Sequence, residues 1–169
     1  PKDQYARLYS QNIVDIINGL TLPRYGLGNY IIDKPKINPT REELVIIENL
    51  SRAGKRLMGF CRTNLFKRLE SSGYSFLISL SRHILRNYVF VYAIQNNLPV
   101  PIGKNISQNL DDYLEDSDTD NDGENENTIN FLQDDQQYLK RAALEYHLFK
   151  IDKLKNQFDW IRSEYLNHY

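Results

Sequence analysis

The amino-acid sequence predicts an all-α protein, with long antiparallel helices forming a bundle and an acidic loop outside its core. Three observations predict this. Apolar side chains recur every three or four residues through most of the chain, which is the period of a helix face. No segment alternates apolar and polar residues as a half-buried strand would. Residues 104–127 are too polar and charged to bury anything, and are expected to form a mobile loop.

A first amphipathic helix is expected from Asp3 to Leu20, where Tyr5, Leu8, Tyr9, Ile13, Ile16, Ile17 and Leu20 share one face. Gly19 and Pro23 bracket its end. Residues 22–39, LPRYGLGNYIIDKPKINP, are rich in glycine and proline and read as an irregular connector. Thr40 with Glu43 three residues on is a capping-box pattern, for a helix running to about Leu50. From Ser51 to Asn97, Leu57, Met58, Cys61, Leu65, Leu69, Phe76, Leu80, Ile84, Tyr88, Val91 and Ile94 keep helical spacing. One long helix, or two in line, is expected there. Gly73 is the expected break, since glycine costs ~1 kcal/mol inside a helix. Asn96, Asn97 and Pro99 stop it. The same spacing returns between Thr128 and Tyr169, predicting a last long helix from about Asp134 that pairs antiparallel with the one before.

A chain of 169 residues is long enough for one domain with a core. No run approaches the ~20 apolar residues of a membrane helix. The start, PKDQYARLYS, lacks the apolar region of a signal peptide. A cytoplasmic location is expected, and a chain opening on Pro1 is expected to be a piece of a longer one. The single cysteine, Cys61, excludes an internal disulfide framework. Its neighbours at helical spacing, Leu57, Met58 and Leu65, make it read as a small buried hydrophobe.

The net charge of −1 hides an asymmetry. Ser51 to Arg68 carries six basic residues (Arg52, Lys55, Arg56, Arg62, Lys67 and Arg68) and no acid. Leu110 to Asn127 carries nine acids and no base, so the rest of the chain has a net charge of +8. On a helical wheel most of the basic side chains oppose Leu57, Cys61, Leu65 and Leu69. Such a face can lie along a phosphate backbone; the plainer reading is an ordinary solvated surface.

Other motifs fail on inspection. Arg52-Ala53-Gly54-Lys55-Arg56 is no phosphate loop, because Arg56 stands where Ser or Thr should be and Asn49 where the first glycine belongs. Asp118, Asp120, Asp122 and Gly123 begin like a calcium loop, but Ile129 occupies the position of the closing glutamate. His83, His147 and His168 have no zinc spacing. No catalytic residue and no metal site is assigned.

The stretch RLMGFCRTNLFKRLESSGYSFLISLSRHI, Arg56 to Ile84, resembles a segment of bacterial superfamily 2 helicase-like proteins. These carry a Swi/Snf-type helicase C-terminal lobe, and some belong to phage-defence systems. Asn64-Leu65-Phe66-Lys67-Arg68-Leu69-Glu70-Ser71-Ser72 is its core. TLPRYGLGNYI (residues 21–31) and FDWIRSEYL (residues 158–166) are similar to its flanks. The resemblance implies a helical accessory domain between two RecA-like motor lobes of a longer chain. It implies ATP and Mg for that parent, and DNA as its partner. The phosphate loop, Walker B acid and arginine finger of such motors are not in these residues. The expected interface with DNA or a lobe is Arg52, Lys55, Arg56, Arg62, Lys67, Arg68 and Glu70. The rival expectation is a helical scaffold that binds protein through a tyrosine-rich surface.

Overall fold

A computed structural model describes residues 5–103, 134–151 and 155–167. The expected acidic loop and the calcium-like Asp118 to Gly123 lie outside these residues. Among the described residues the fold is mostly helical, as expected, with one two-stranded sheet added. No described helix is long and apolar enough to cross a membrane.

The expected first helix is broken. Ser10 is extended, leaving a 3-10 turn at Ala6–Tyr9 and helix α1 at Gln11–Gly19. The connector follows and makes a 3-10 turn at Leu27–Tyr30. Thr40 then starts α2 (Arg41–Ser71) with the expected capping box: its hydroxyl accepts from the Glu43 N–H, and Glu43 accepts from the Thr40 N–H. The helix does not pause at Leu50. Leu50, Gly54, Leu57, Cys61, Leu65 and Leu69 form one unbroken buried stripe, so its register carries through Ser51. At ~1.5 Å per residue its 31 residues extend ~46 Å.

The break comes at Ser72, one residue before the expected glycine. Ser72 is extended and serves both helices: its N–H bonds to the Arg68 carbonyl, and its hydroxyl caps the Ser75 N–H of α3 (Gly73–Gln95). Gly73 is needed for a different reason, since a Cβ there would come within 2.6 Å of the Tyr5 side chain. Helix α3 ends in a Schellman motif. Asn97 takes the left-handed conformation (φ 53°), its N–H bonds to Ile94, and the Leu98 N–H bonds to Ala93.

Sequence periodicity misreads the C-terminal third. Helix α4 spans only Asp135–Phe149. Strands β1 (Val100–Gly103) and β2 (Phe158–Ile161) pair antiparallel, Val100 with Ile161 through Gly103 with Phe158. Each strand has four residues, too few to show a period of two, and the apolar spacing of Phe158, Ile161 and Tyr165 imitates a helix. A 3-10 turn, Ser163–Tyr165, leads to Leu166, which bridges back to Ile31.

Helices α2 and α3 form an antiparallel hairpin, with Cys61 facing His83 across it. Helix α4 instead runs in the same direction as α3. Tyr88 stacks on Tyr138 near the start of α4, Tyr92 meets Tyr146 near its end, and the Tyr146 hydroxyl reaches the Pro99 carbonyl beyond α3.

Two cores result. One is built from Ile17, Tyr25, Leu57, Cys61, Leu65, Leu69 and Phe76 at the α1–α2–α3 end. The other gathers Val89, Ala93, Val100, Ala142, Tyr146, Ile161 and Tyr165 where α3, α4, the strands and the start of α2 meet. The connector crosses α2 between them. A Cβ on Gly28 would lie 2.6 Å from Ser51 Cα, so only glycine admits that approach.

Candidate functional site

The inner stripe of α2 determines which side chains it shows to solvent. With Leu57, Cys61, Leu65 and Leu69 buried, Arg52, Lys55, Arg56, Gly59, Thr63, Lys67 and Glu70 are exposed. Arg52 to Lys67 covers ~22 Å of helix. Between the cations the surface is low: a Cβ on Gly59 would meet nothing within 4 Å, and the Thr63 hydroxyl is turned back onto the Gly59 carbonyl. Arg52 pairs with Glu48 at 3.0 Å, but both side chains are about 70% exposed, so the pair contributes little and breaks easily. The Arg56 guanidinium lies 5.9 Å from the Phe60 ring centre. Among the described residues Lys55, Arg56 and Lys67 have no carboxylate partner.

Two expected members leave this face. Arg62 turns inward and donates to the Leu20 carbonyl at 2.5 Å, tying α2 to the end of α1. Its Nε is buried without a hydrogen-bond partner. Arg68 is half-buried and engaged in a contact of its own. The basic face is therefore four cations rather than six, with Glu70 at its far end.

The surrounding elements hold two polar clusters, which give His83, Cys61 and Glu43 partners that the sequence did not indicate. In the first, an Arg24 N–H donates to His83 Nδ1 at 3.1 Å and to the Tyr25 hydroxyl at 2.6 Å. A guanidinium can only donate, so Nδ1 carries the lone pair and Nε2 the proton. Nε2 points at Cys61 Sγ, 3.8 Å away. The imidazole thus donates toward the sulfur and has no free base for its thiol proton. This agrees with Cys61 as a buried hydrophobe and argues against a nucleophile. Burial, then Arg24 and Arg86, pull the His83 pKa down to about 3.

In the second cluster Arg162 grips Glu43 with two hydrogen bonds, 2.8 and 2.7 Å, and the Tyr165 hydroxyl adds a third at 3.0 Å. Arg162, opposed by some desolvation and helped by the Thr40 N–H and Tyr165, holds the Glu43 pKa down to about 2. The same carboxylate caps α2 and fastens the C-terminal segment to it.

Among the described residues Tyr9 and Tyr74 are exposed, and most of the other tyrosines turn inward. Tyr25, Tyr138, Tyr146 and Tyr165 are buried, and Tyr88 and Tyr92 are half-buried in the α3–α4 seam. Burial and Tyr92 raise the Tyr146 pKa to about 12, and its proton stays on the bond to Pro99. Among the described residues no three His, Cys, Asp or Glu side chains converge as a metal site.

Residues 21–31, 56–84 and 158–166 meet in space. Leu65, Leu69 and Ser72 build the hairpin. Gly28 and Leu27 seat the connector on α2, and Ile31 meets Leu166 after the Arg162–Tyr165 latch. No known protein family, curated protein or solved structure matches this chain.

Proposed function

We propose that this chain is a helical accessory domain of a DNA-dependent ATPase or helicase, and that it contacts the phosphate backbone through the outer face of α2. The parent's motor lobes would bind ATP and Mg and perform hydrolysis; this domain would link them to DNA. The observation that carries the reading is the exposed row Arg52, Lys55, Arg56 and Lys67 around the low ground of Gly59 and Thr63. Four cations on one rigid helix, three without a carboxylate partner among the described residues, suit a polyanion that releases counterions on binding. The low centre lets a backbone approach the helix closely. Glu70 bounds the face at the hairpin end, where a motor lobe would sit.

The test is a fluorescence-anisotropy titration with single- and double-stranded DNA at several salt concentrations. Binding is expected to weaken with salt, with a log–log slope of about 3 to 4 if all four cations engage phosphates. Replacing Arg52, Lys55, Arg56 and Lys67 by alanine should abolish binding by removing the charges that face phosphate, and should leave the fold intact because all four side chains are exposed. Salt-insensitive binding, or full binding by the fourfold variant, would remove α2 from the interface.

A further inference from the structure

We infer that the outer face of α4 is a docking surface for an acidic amphipathic helix of a partner protein. The inference is independent of DNA contact and concerns a different helix. Leu144, Leu148 and Ile151 are 69%, 49% and 54% exposed. Leu144 and Leu148 lie one turn apart on one stripe of α4, and Ile151 follows just past the helix end, its N–H bonded to the Leu148 carbonyl. The opposite side of α4 carries Tyr138, Ala142 and Tyr146, all buried in the domain. The second half of this helix is therefore apolar on both sides, the pattern of a helix held between two neighbours. Single exposed leucines are ordinary; Leu144, Leu148 and Ile151 together, over the last turns of α4 and the residue past its cap, mark a contact surface.

Charge identifies the occupant. Lys140 stands one turn before Leu144. Lys155 stands one turn after Ile151, with its N–H bonded to the Ile151 carbonyl, so the stripe is bracketed by cations. Lys150 adds a third on the flank, its ammonium 5.0 Å from the Tyr146 ring centre. All three are exposed, and from Lys140 to Lys155 the sequence holds five lysines and arginines against two acids, Glu145 and Asp152. The surface fits a helix with apolar residues at i, i+4 and i+7 and carboxylates at the ends of that stripe. It disfavours a second copy of this chain. An antiparallel pairing of two α4 helices would set Lys140 of one copy against Lys155 of the other, and a parallel one would pair each lysine with its twin.

The probe is a labelled 18-residue helical peptide with leucines at i, i+4, i+7 and i+11 and glutamates flanking them. A second peptide has lysine for every glutamate. Each is titrated against the full chain. The glutamate peptide should bind saturably and the lysine peptide should not. Leu148→Asp should weaken binding about tenfold or more with its melting temperature unchanged, since the residue is exposed. Lys140→Glu with Lys155→Glu should reverse the preference, and Val45→Asp, on the exposed side of α2, should have no effect. Failure of both peptides, equal binding of both, or full binding by Leu148→Asp would overturn the proposal. So would a dimer seen by light scattering that Leu148→Asp dissociates, which would give the stripe to a second copy.

Discussion

The two cores of this molecule solve the same problem differently. At the cysteine end, leucine, isoleucine and phenylalanine from α1, α2 and α3 close on one another by helical register. At the tyrosine end, the elements come from opposite parts of the chain, and hydroxyl groups fix how they meet. Tyr146 donates to Pro99, Tyr165 to Glu43 and Tyr88 to Asp135. A helical hairpin closes over a one-residue break at Ser72 and needs little more than matched stripes. Elements joined from afar have many ways to slide, and directional bonds leave one.

The sharpest way to break this contrast is to remove side chains at each end. Leu57→Ala and Tyr146→Ala should each cost about 2–5 kcal/mol in denaturant unfolding. The ends should part company in milder variants. Leu57→Met should cost less than about 1.5 kcal/mol, because apolar volume is what that site uses. Gly28→Ala should weaken both ends by about 1–3 kcal/mol, since the new methyl meets the α2 backbone at Ser51.

Acid should separate the ends next. His83 takes a proton near pH 6.5 when unfolded but only near 3 when folded, and Glu43 near 4.5 unfolded and about 2 folded. Both folded values are depressed, so both contributions are complete above the unfolded pKa and are lost as pH falls. The His83 window opens first, below about 6.5, and the Glu43 window below about 4.5. Melting temperatures measured from pH 7 to 3 should fall in two stages. His83→Gln should remove the first, and Glu43→Gln the second. A single stage unaffected by either variant would mean the clusters do not respond separately.

Smaller effects sharpen the contrast. Tyr146→Phe should cost about 1 kcal/mol by leaving the Pro99 carbonyl without its donor. Gly59→Ala should do the reverse and stabilise by about 1 kcal/mol, because it lies mid-helix with open space around it.

The cysteine end was the more legible in sequence for the same physical reason. Helical register is local, so Leu57, Cys61, Leu65 and Leu69 announce their stripe; at the tyrosine end the local signal is Thr40 with Glu43, which announces the cap of α2. The tyrosine end depends on partners far along the chain. Nothing near Arg162 indicates that it will meet Glu43, and nothing near Val100 points to Ile161. The basic face was partly legible. Periodicity selects Arg52, Lys55, Arg56 and Lys67, whereas Arg62 lies at the margin of the stripe, where only the end of α1 decides that it turns inward.

The Glu43–Arg162 grip joins residues 119 positions apart, and this orders the events of folding. The α2–α3 hairpin can form as soon as its residues leave the ribosome, for its contacts are short-range and quick to find. The inner faces of β1 and α4 must wait for residues 158–166, which follow them in the chain. Until those residues arrive, Val100, Ala142 and Tyr146 lack their cover, and one end of the domain stays open while the other is already closed.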